Sequence, residues 1–106
     1  MLKGLEPCCD IEDFIKAMAG ETRQQILVIL RVCETNVSEL IQHLDVTQPT
    51  ISYHLAILNR AGLVTSRRVG KYVYYQANQA CVAECCGEIL DRYKIIVRDG
   101  KDRKNA

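Results

Sequence analysis

The chain has 106 residues and a formal net charge of +1, enough for one domain with a modest core and too balanced for bulk charge to announce a polyanionic partner. No stretch approaches the roughly 20 apolar residues of a membrane span. Residues 1–10 lack the long apolar core of a signal peptide, so a cytoplasmic protein with no membrane partner is expected. Six cysteines in that compartment read as metal ligands, redox thiols or core residues rather than as a disulfide framework.

Charge is unevenly placed. Residues 1–45 hold eight acids against four bases, and residues 84–106 hold five acids and six bases. Residues 46–83 hold no acid, only Arg60, Arg67, Arg68 and Lys71. A purely positive segment inside a near-neutral chain is the electrostatic footprint of contact with nucleic acid.

Residues 1–9 read as an irregular arm ending in Cys8-Cys9. Asp10 can cap a first helix, with Asp13 at the third position of a capping box, Ile11, Phe14, Ile15 and Met18 as its apolar stripe and Gly20 at its end. A second helix is expected from Thr22 to Cys33, with Ile26, Ile29, Leu30 and Cys33 on one face. There Cys33 reads as a small buried hydrophobe. Glu34-Thr35-Asn36 reads as a turn. A short third helix, Val37 to Leu44, packs through Leu40, Ile41 and Leu44.

The turn Asp45-Val46-Thr47 then leads into the stretch that organises the chain. Thr47 is a good N-cap whose hydroxyl can accept a first-turn N–H, and Pro49 falls in the first turn, where its missing N–H costs nothing. Ile51, Leu55 and Leu58 give one buried face. The opposite face carries Gln48, Thr50, Ser52, Tyr53 and His54, hydrogen-bonding side chains with no acid among them. An ordinary solvent face would hold Lys and Glu. This one suits base edges and phosphates in a major groove, and two helices joined by so short a turn make a helix-turn-helix.

Gly62 is a C-cap candidate. Residues 63–68 and 71–76 are rich in β-branched and aromatic residues, with Val69-Gly70 between them, which signals a β-hairpin tipped by Arg67, Arg68 and Lys71. A basic hairpin beside a helix-turn-helix is a wing that grips phosphate or enters the minor groove. A long last helix is expected from Asn78 to Val97. Val82, Cys86, Ile89, Leu90, Tyr93, Ile96 and Val97 fall in one arc at about 100° per residue. An apolar arc this broad at the end of a small domain needs a partner, either the first helix or a second copy of the chain. Residues 98–106 are charged and read as a disordered tail. The expected architecture is one domain over 1–106, mainly α with a β-hairpin.

These motifs resemble the ArsR/SmtB family of small winged-helix repressors. Ala17-Met-Ala-Gly-Glu-Thr-Arg-Gln-Gln-Ile-Leu27 is similar to the family's opening "A-L-x-x-x-T-R-x-x-I-L". Gln48-Pro-Thr-Ile-Ser-Tyr-His-Leu-Ala-Ile-Leu58 is similar to its "Q-P-T-V-S-x-H-L-x-x-L". Ser38-Glu-Leu, Ala61-Gly-Leu-Val64 and Arg68-Val-Gly-Lys-Tyr-Val-Tyr-Tyr75 match its other landmarks, and the likeness runs from about residue 11 to residue 97. The resemblance implies a winged helix-turn-helix homodimer built through first and last helices. It also implies two reading helices in successive major grooves of operator DNA, and repression relieved by an inducer, usually a metal ion or metalloid and sometimes a thiol oxidant or persulfide.

The family's two usual metal sites are missing as written. Its Cys-Val-Cys run is Asn36-Val37-Ser38 here, and the two histidines, His43 and His54, lie outside the last helix. What remains is sulfur, in two clusters beside Cys33: Cys8 and Cys9 before the first helix, and Cys81, Cys85 and Cys86 on the last. On an ideal helix Cys81 and Cys85 are about 40° apart, at the border of the apolar arc, whereas Cys86, about 140° from Cys81, points into the seam. Thiolates favour soft ions. Three sulfurs would suit As(III), the leading inducer the resemblance implies, or Sb(III). Four would suit Cd(II), Pb(II) or Zn(II). The same thiols allow a redox or persulfide signal instead. Nothing recommends an enzyme, because the chain has no phosphate loop, paired carboxylates or nucleophile motif. A DNA-binding module with silent cysteines is a further reading.

Overall fold

The computed structural model describes residues 10–93. The arm with Cys8 and Cys9, and residues 94–106 with Ile96, Val97 and the expected tail, lie outside them.

The first helix, α1, is Ile11–Met18. Asp10 caps it as expected, its Oδ1 accepting from the N–H groups of Glu12 and Asp13 at 2.7 and 3.3 Å. The second, α2, is Glu21–Val32 and buries Ile26, Leu27 and Leu30. Thr35–Asn36, expected as a turn, forms a short strand, β1. Both residues are buried and pair antiparallel with Tyr75 and Tyr74. Asn36 then caps α3, Val37–His43, by accepting from the Glu39 N–H at 3.0 Å, while the Thr35 hydroxyl donates to the Glu39 carboxylate at 2.7 Å. A four-residue link leads to α4, Gln48–Arg60.

Gly62 adopts a positive φ of 79°, which lets the chain turn sharply from α4 into the hairpin. The hairpin strands are β2, Val64–Val69, and β3, Tyr72–Ala77. Val69 faces Tyr72, so the turn is Gly70-Lys71, one residue later than expected. Gly70 takes the positive φ, 62°, that such a tight turn demands. The sheet has three strands in the order β1-β3-β2, so the wing is stitched to the start of α3 rather than standing alone. The last helix, α5, is Gln79–Arg92, and Asn78 caps it by accepting from the Cys81 N–H at 3.2 Å.

One core joins all five helices. Phe14, Ile26, Leu30, Leu40, Leu55 and Leu63 are buried at its centre. Three expectations fail here. Ile15 is 53% exposed, and Ala17 takes its place in the core. Cys33 is an exposed free thiol, because α2 ends at Val32 and the chain turns into β1. On α5 the buried residues are Cys81 and Cys85, each 1% exposed, whereas Cys86 is an exposed free thiol. Leu90 and Tyr93, in the expected apolar arc, are 62% and 55% exposed. The domain's own core is thus met by the edge of that arc, and the arc's centre is left outward.

Candidate nucleic-acid interface and thiol site

The reading helix is positioned from below by Ile51, Leu55 and Leu58, all buried as the spacing requires. That orientation turns Gln48, Ser52 and Tyr53 to solvent and leaves Thr50 and His54 half-buried. Tyr53 is 62% exposed, a large aromatic that contributes little to the core. The structure extends this face to Ala56 and Asn59, both exposed. With Gln48 and Ser52 they form one stripe at helical spacing, and that i, i+4 signal was present in the sequence. Thr47 occupies the N-cap position, but its hydroxyl meets the Thr50 hydroxyl at 3.1 Å instead of accepting a backbone N–H. The first turn of α4 has no acidic residue, so its positive end faces outward unneutralised.

His54 is held from the side. The Arg23 guanidinium donates to its Nδ1 at 2.9 Å, and also to the carbonyls of Ala17 at 2.8 Å and Lys16 at 3.3 Å. One side chain on α2 thus ties the end of α1 to the reading helix. Burial, with help from the Arg23 charge, pushes the His54 imidazole below its ordinary pKa of 6.5.

The wing separates its three basic residues. Arg67 sits mid-strand opposite Tyr74, not at the tip. Its guanidinium forks onto the Glu34 carboxylate at 2.7 and 2.8 Å. That hydrogen bonding holds the Glu34 carboxyl below the usual carboxylate range. Arg68 lies beside the turn, reaching the Gly70 carbonyl at 3.5 Å, and Lys71 lies in it with its ammonium 5.6 Å from the Tyr72 ring. Arg68 and Lys71 have no carboxylate partner among the described residues.

The sulfurs fall into two environments. Cys81 and Cys85, one turn apart, share the core cluster with Ile11 and Phe14 of α1, and both are disulfide-bonded. Cys86 is on the outer side of α5. The expected trio of Cys81, Cys85 and Cys86 is therefore not brought together. Among the described residues no group of three or more His, Cys, Asp or Glu side chains is arranged to hold a metal ion. Cys8 and Cys9 lie outside the described residues. His43 is exposed at the end of α3.

Asn78 links this site to the reading helix. Its Oδ1 accepts from the Cys81 N–H, its Nδ2 donates to the Gly62 carbonyl at 3.2 Å, and its backbone N–H donates to the Leu63 carbonyl at 2.8 Å. The first turn of α5 is therefore fastened to the segment that ends α4.

A five-helix core with a two-stranded wing beside a helix-turn-helix is a winged-helix architecture. A family model described as "Bacterial regulatory protein, arsR family" matches residues 20–66, from the start of α2 into the wing. The solved "ArsR-like Transcriptional Regulator from Rhodococcus sp. RHA1" is similar at a TM-score of 0.70 and 30% identity, covering 91% of this chain and 86% of that one.

This chain belongs to the ArsR family. Its relatives are DNA-binding transcriptional regulators, not enzymes. The solved structure of HlyU from Vibrio cholerae N16961 is similar at a TM-score of 0.63 and 36% identity, covering 87% of this chain and 96% of that one. The "Arsenic resistance transcriptional regulator ArsR1" of Pseudomonas putida is 45% identical, over 58% of this chain. The match spans only 48% of that regulator's length. Among the described residues no helix is long and apolar enough to cross a membrane.

Proposed function

We propose that this ArsR-family chain is an operator-binding transcriptional repressor, acting as a homodimer, whose hold on DNA is set by thiolate chemistry on α5. The observation that carries the reading is the placement of Cys81. It is buried with Cys85 in the core shared with α1, and the Asn78 side chain, which accepts from the Cys81 N–H and donates to the Gly62 carbonyl, joins it to the segment that ends the reading helix. Any ligand or bond that moves these sulfurs strains that connection.

DNA would be read by Gln48, Thr50, Ser52, Tyr53 and His54, with Thr47 at the phosphate-facing end of α4 and Arg68 and Lys71 on backbone phosphates. Arg67 joins them only by leaving Glu34. The dimer would form through α1 and α5. Ile15, Leu90 and Tyr93 are exposed on these helices, and Ile11, Ile15, Glu88 and Arg92 line a groove between them.

The inducer of this reading is trivalent arsenic, or another thiophilic ion, on Cys81 and Cys85 with further sulfur from Cys8 or Cys9. Its support is the soft donor set and the arsenic-named relatives, which include the "Arsenical resistance operon repressor" of Escherichia coli at 44% identity. A second reading, release by thiol oxidation or persulfide, is favoured by one observation: both buried sulfurs are disulfide-bonded here. In either case a coupling of a few kcal/mol is enough to empty an operator. Titrating the reduced protein with arsenite, while following thiolate–arsenic absorbance and operator anisotropy together, tests the first reading. Saturation at one arsenite per subunit with DNA release supports it. Release by peroxide or persulfide but not arsenite supports the second.

A further inference from the structure

We infer that Arg23 is a positioning residue for base reading, fixing the His54 imidazole of α4 as the Nε2–H tautomer at the DNA-facing side of the domain. The inference rests on the operator-binding reading above and adds a residue on α2 that the reading helix itself does not reveal. A guanidinium has five N–H donors and no acceptor, so a bond of 2.9 Å from Arg23 to Nδ1 requires that Nδ1 carry the lone pair. The ring's proton is then on Nε2. Burial and the neighbouring cation both favour the neutral ring.

The geometry around the pair is overdetermined. Arg23 is itself anchored by the Ala17 and Lys16 carbonyls, so it arrives at His54 already oriented. The Tyr53 ring meets the imidazole edge-on, with centroids 5.3 Å apart and planes at 60°. A neutral ring held this way presents a donor only. It matches the O6 or N7 of guanine, the O4 of thymine or N7 of adenine, all major-groove acceptors. A free histidine would exchange between tautomers and present donor and acceptor in turn, reading nothing consistently.

Two measurements test this. Long-range 1H–15N correlation of the imidazole in the wild-type protein at neutral pH is expected to show the Nε2–H tautomer for His54. An Nδ1–H or doubly protonated ring would overturn the assignment, and no variant needs to fold for that result. The second compares operator and random duplex binding of wild type, Arg23→Gln, His54→Ala and the double variant across a salt series. Arg23→Gln is expected to lose about tenfold in operator preference with an unchanged salt slope, and the double variant to lose no more than His54→Ala alone. A salt slope reduced by about one per protomer would make Arg23 a phosphate contact and overturn the inference, as would an unchanged preference. Wild-type protein that prefers no promoter duplex would count against the operator-binding reading instead, while the tautomer still reports on Arg23.

Discussion

The Arg67 guanidinium forks onto the Glu34 carboxylate at 2.7 and 2.8 Å, tying the first strand of the wing to the chain just after α2. The three wing cations should therefore contribute unequally to DNA binding. Arg68→Ala and Lys71→Ala should each lower the salt slope of operator binding by about 0.9 per phosphate contact removed. Arg67→Ala should leave the slope nearly unchanged. Fluorescence anisotropy at several salt concentrations checks this, and equal slopes for all three single variants would show that Arg67 abandons Glu34 on DNA.

Asn78 fastens α5 to the end of the reading helix through two groups of one side chain. Asn78→Asp keeps the oxygen that caps α5 and loses the amide that donates to Gly62. It should keep most of the stability, whereas Asn78→Ala should cost about 1 kcal/mol as a lost cap. Both should bind operator and release it less completely on inducer addition. Denaturant titration paired with anisotropy separates the two effects.

Leu55 is 1% exposed beneath the reading helix. Leu55→Ala should cost about 2–5 kcal/mol by leaving a cavity there, and urea unfolding would measure it. Ser52→Ala, on the opposite face of the same helix, should change stability by less than about 0.5 kcal/mol and act on DNA binding alone.

This division of faces on α4 was legible in the sequence, because Ile51, Leu55 and Leu58 recur at a period only a helix satisfies. The caps at Asp10 and Gly62 were legible from residue type beside a periodic stretch, whereas the Asn78 cap emerged only from the structure. What failed was nonlocal. Thr35-Asn36 has turn chemistry, yet it pairs with Tyr75 and Tyr74, far along the chain, which no local pattern announces. The arc on α5 was correctly seen as apolar, but the domain's core meets its border, so Cys81 and Cys85 went in and Cys86 went out. A hydrophobic arc broader than one interface does not say which part faces which partner. The Arg23 contact with His54 joins residues on separate helices, and their spacing carries no sign of it.

The His54 imidazole has its pKa lowered in the folded chain, first by burial and then by the Arg23 charge. Below its unfolded value of 6.5 the unfolded chain takes up the proton first. Stability should therefore be level above that pH and decline as pH falls toward the folded value. His54→Asn should flatten this part of the profile, which chemical denaturation between pH 5 and 8 (a range chosen to bracket about 6.5) would show. A wild-type profile that rises as pH falls there would contradict the assignment.

The most direct test of the account is operator anisotropy of the reduced protein with arsenite and, separately, a thiol oxidant. Wild type, Cys86→Ser and the double variant Cys81→Ser/Cys85→Ser would be compared. The account predicts that wild type and Cys86→Ser let go of the operator with at least one of the two reagents, while the double variant binds DNA and holds it. Full release of the double variant would contradict it and move the sensing site away from the buried face of α5.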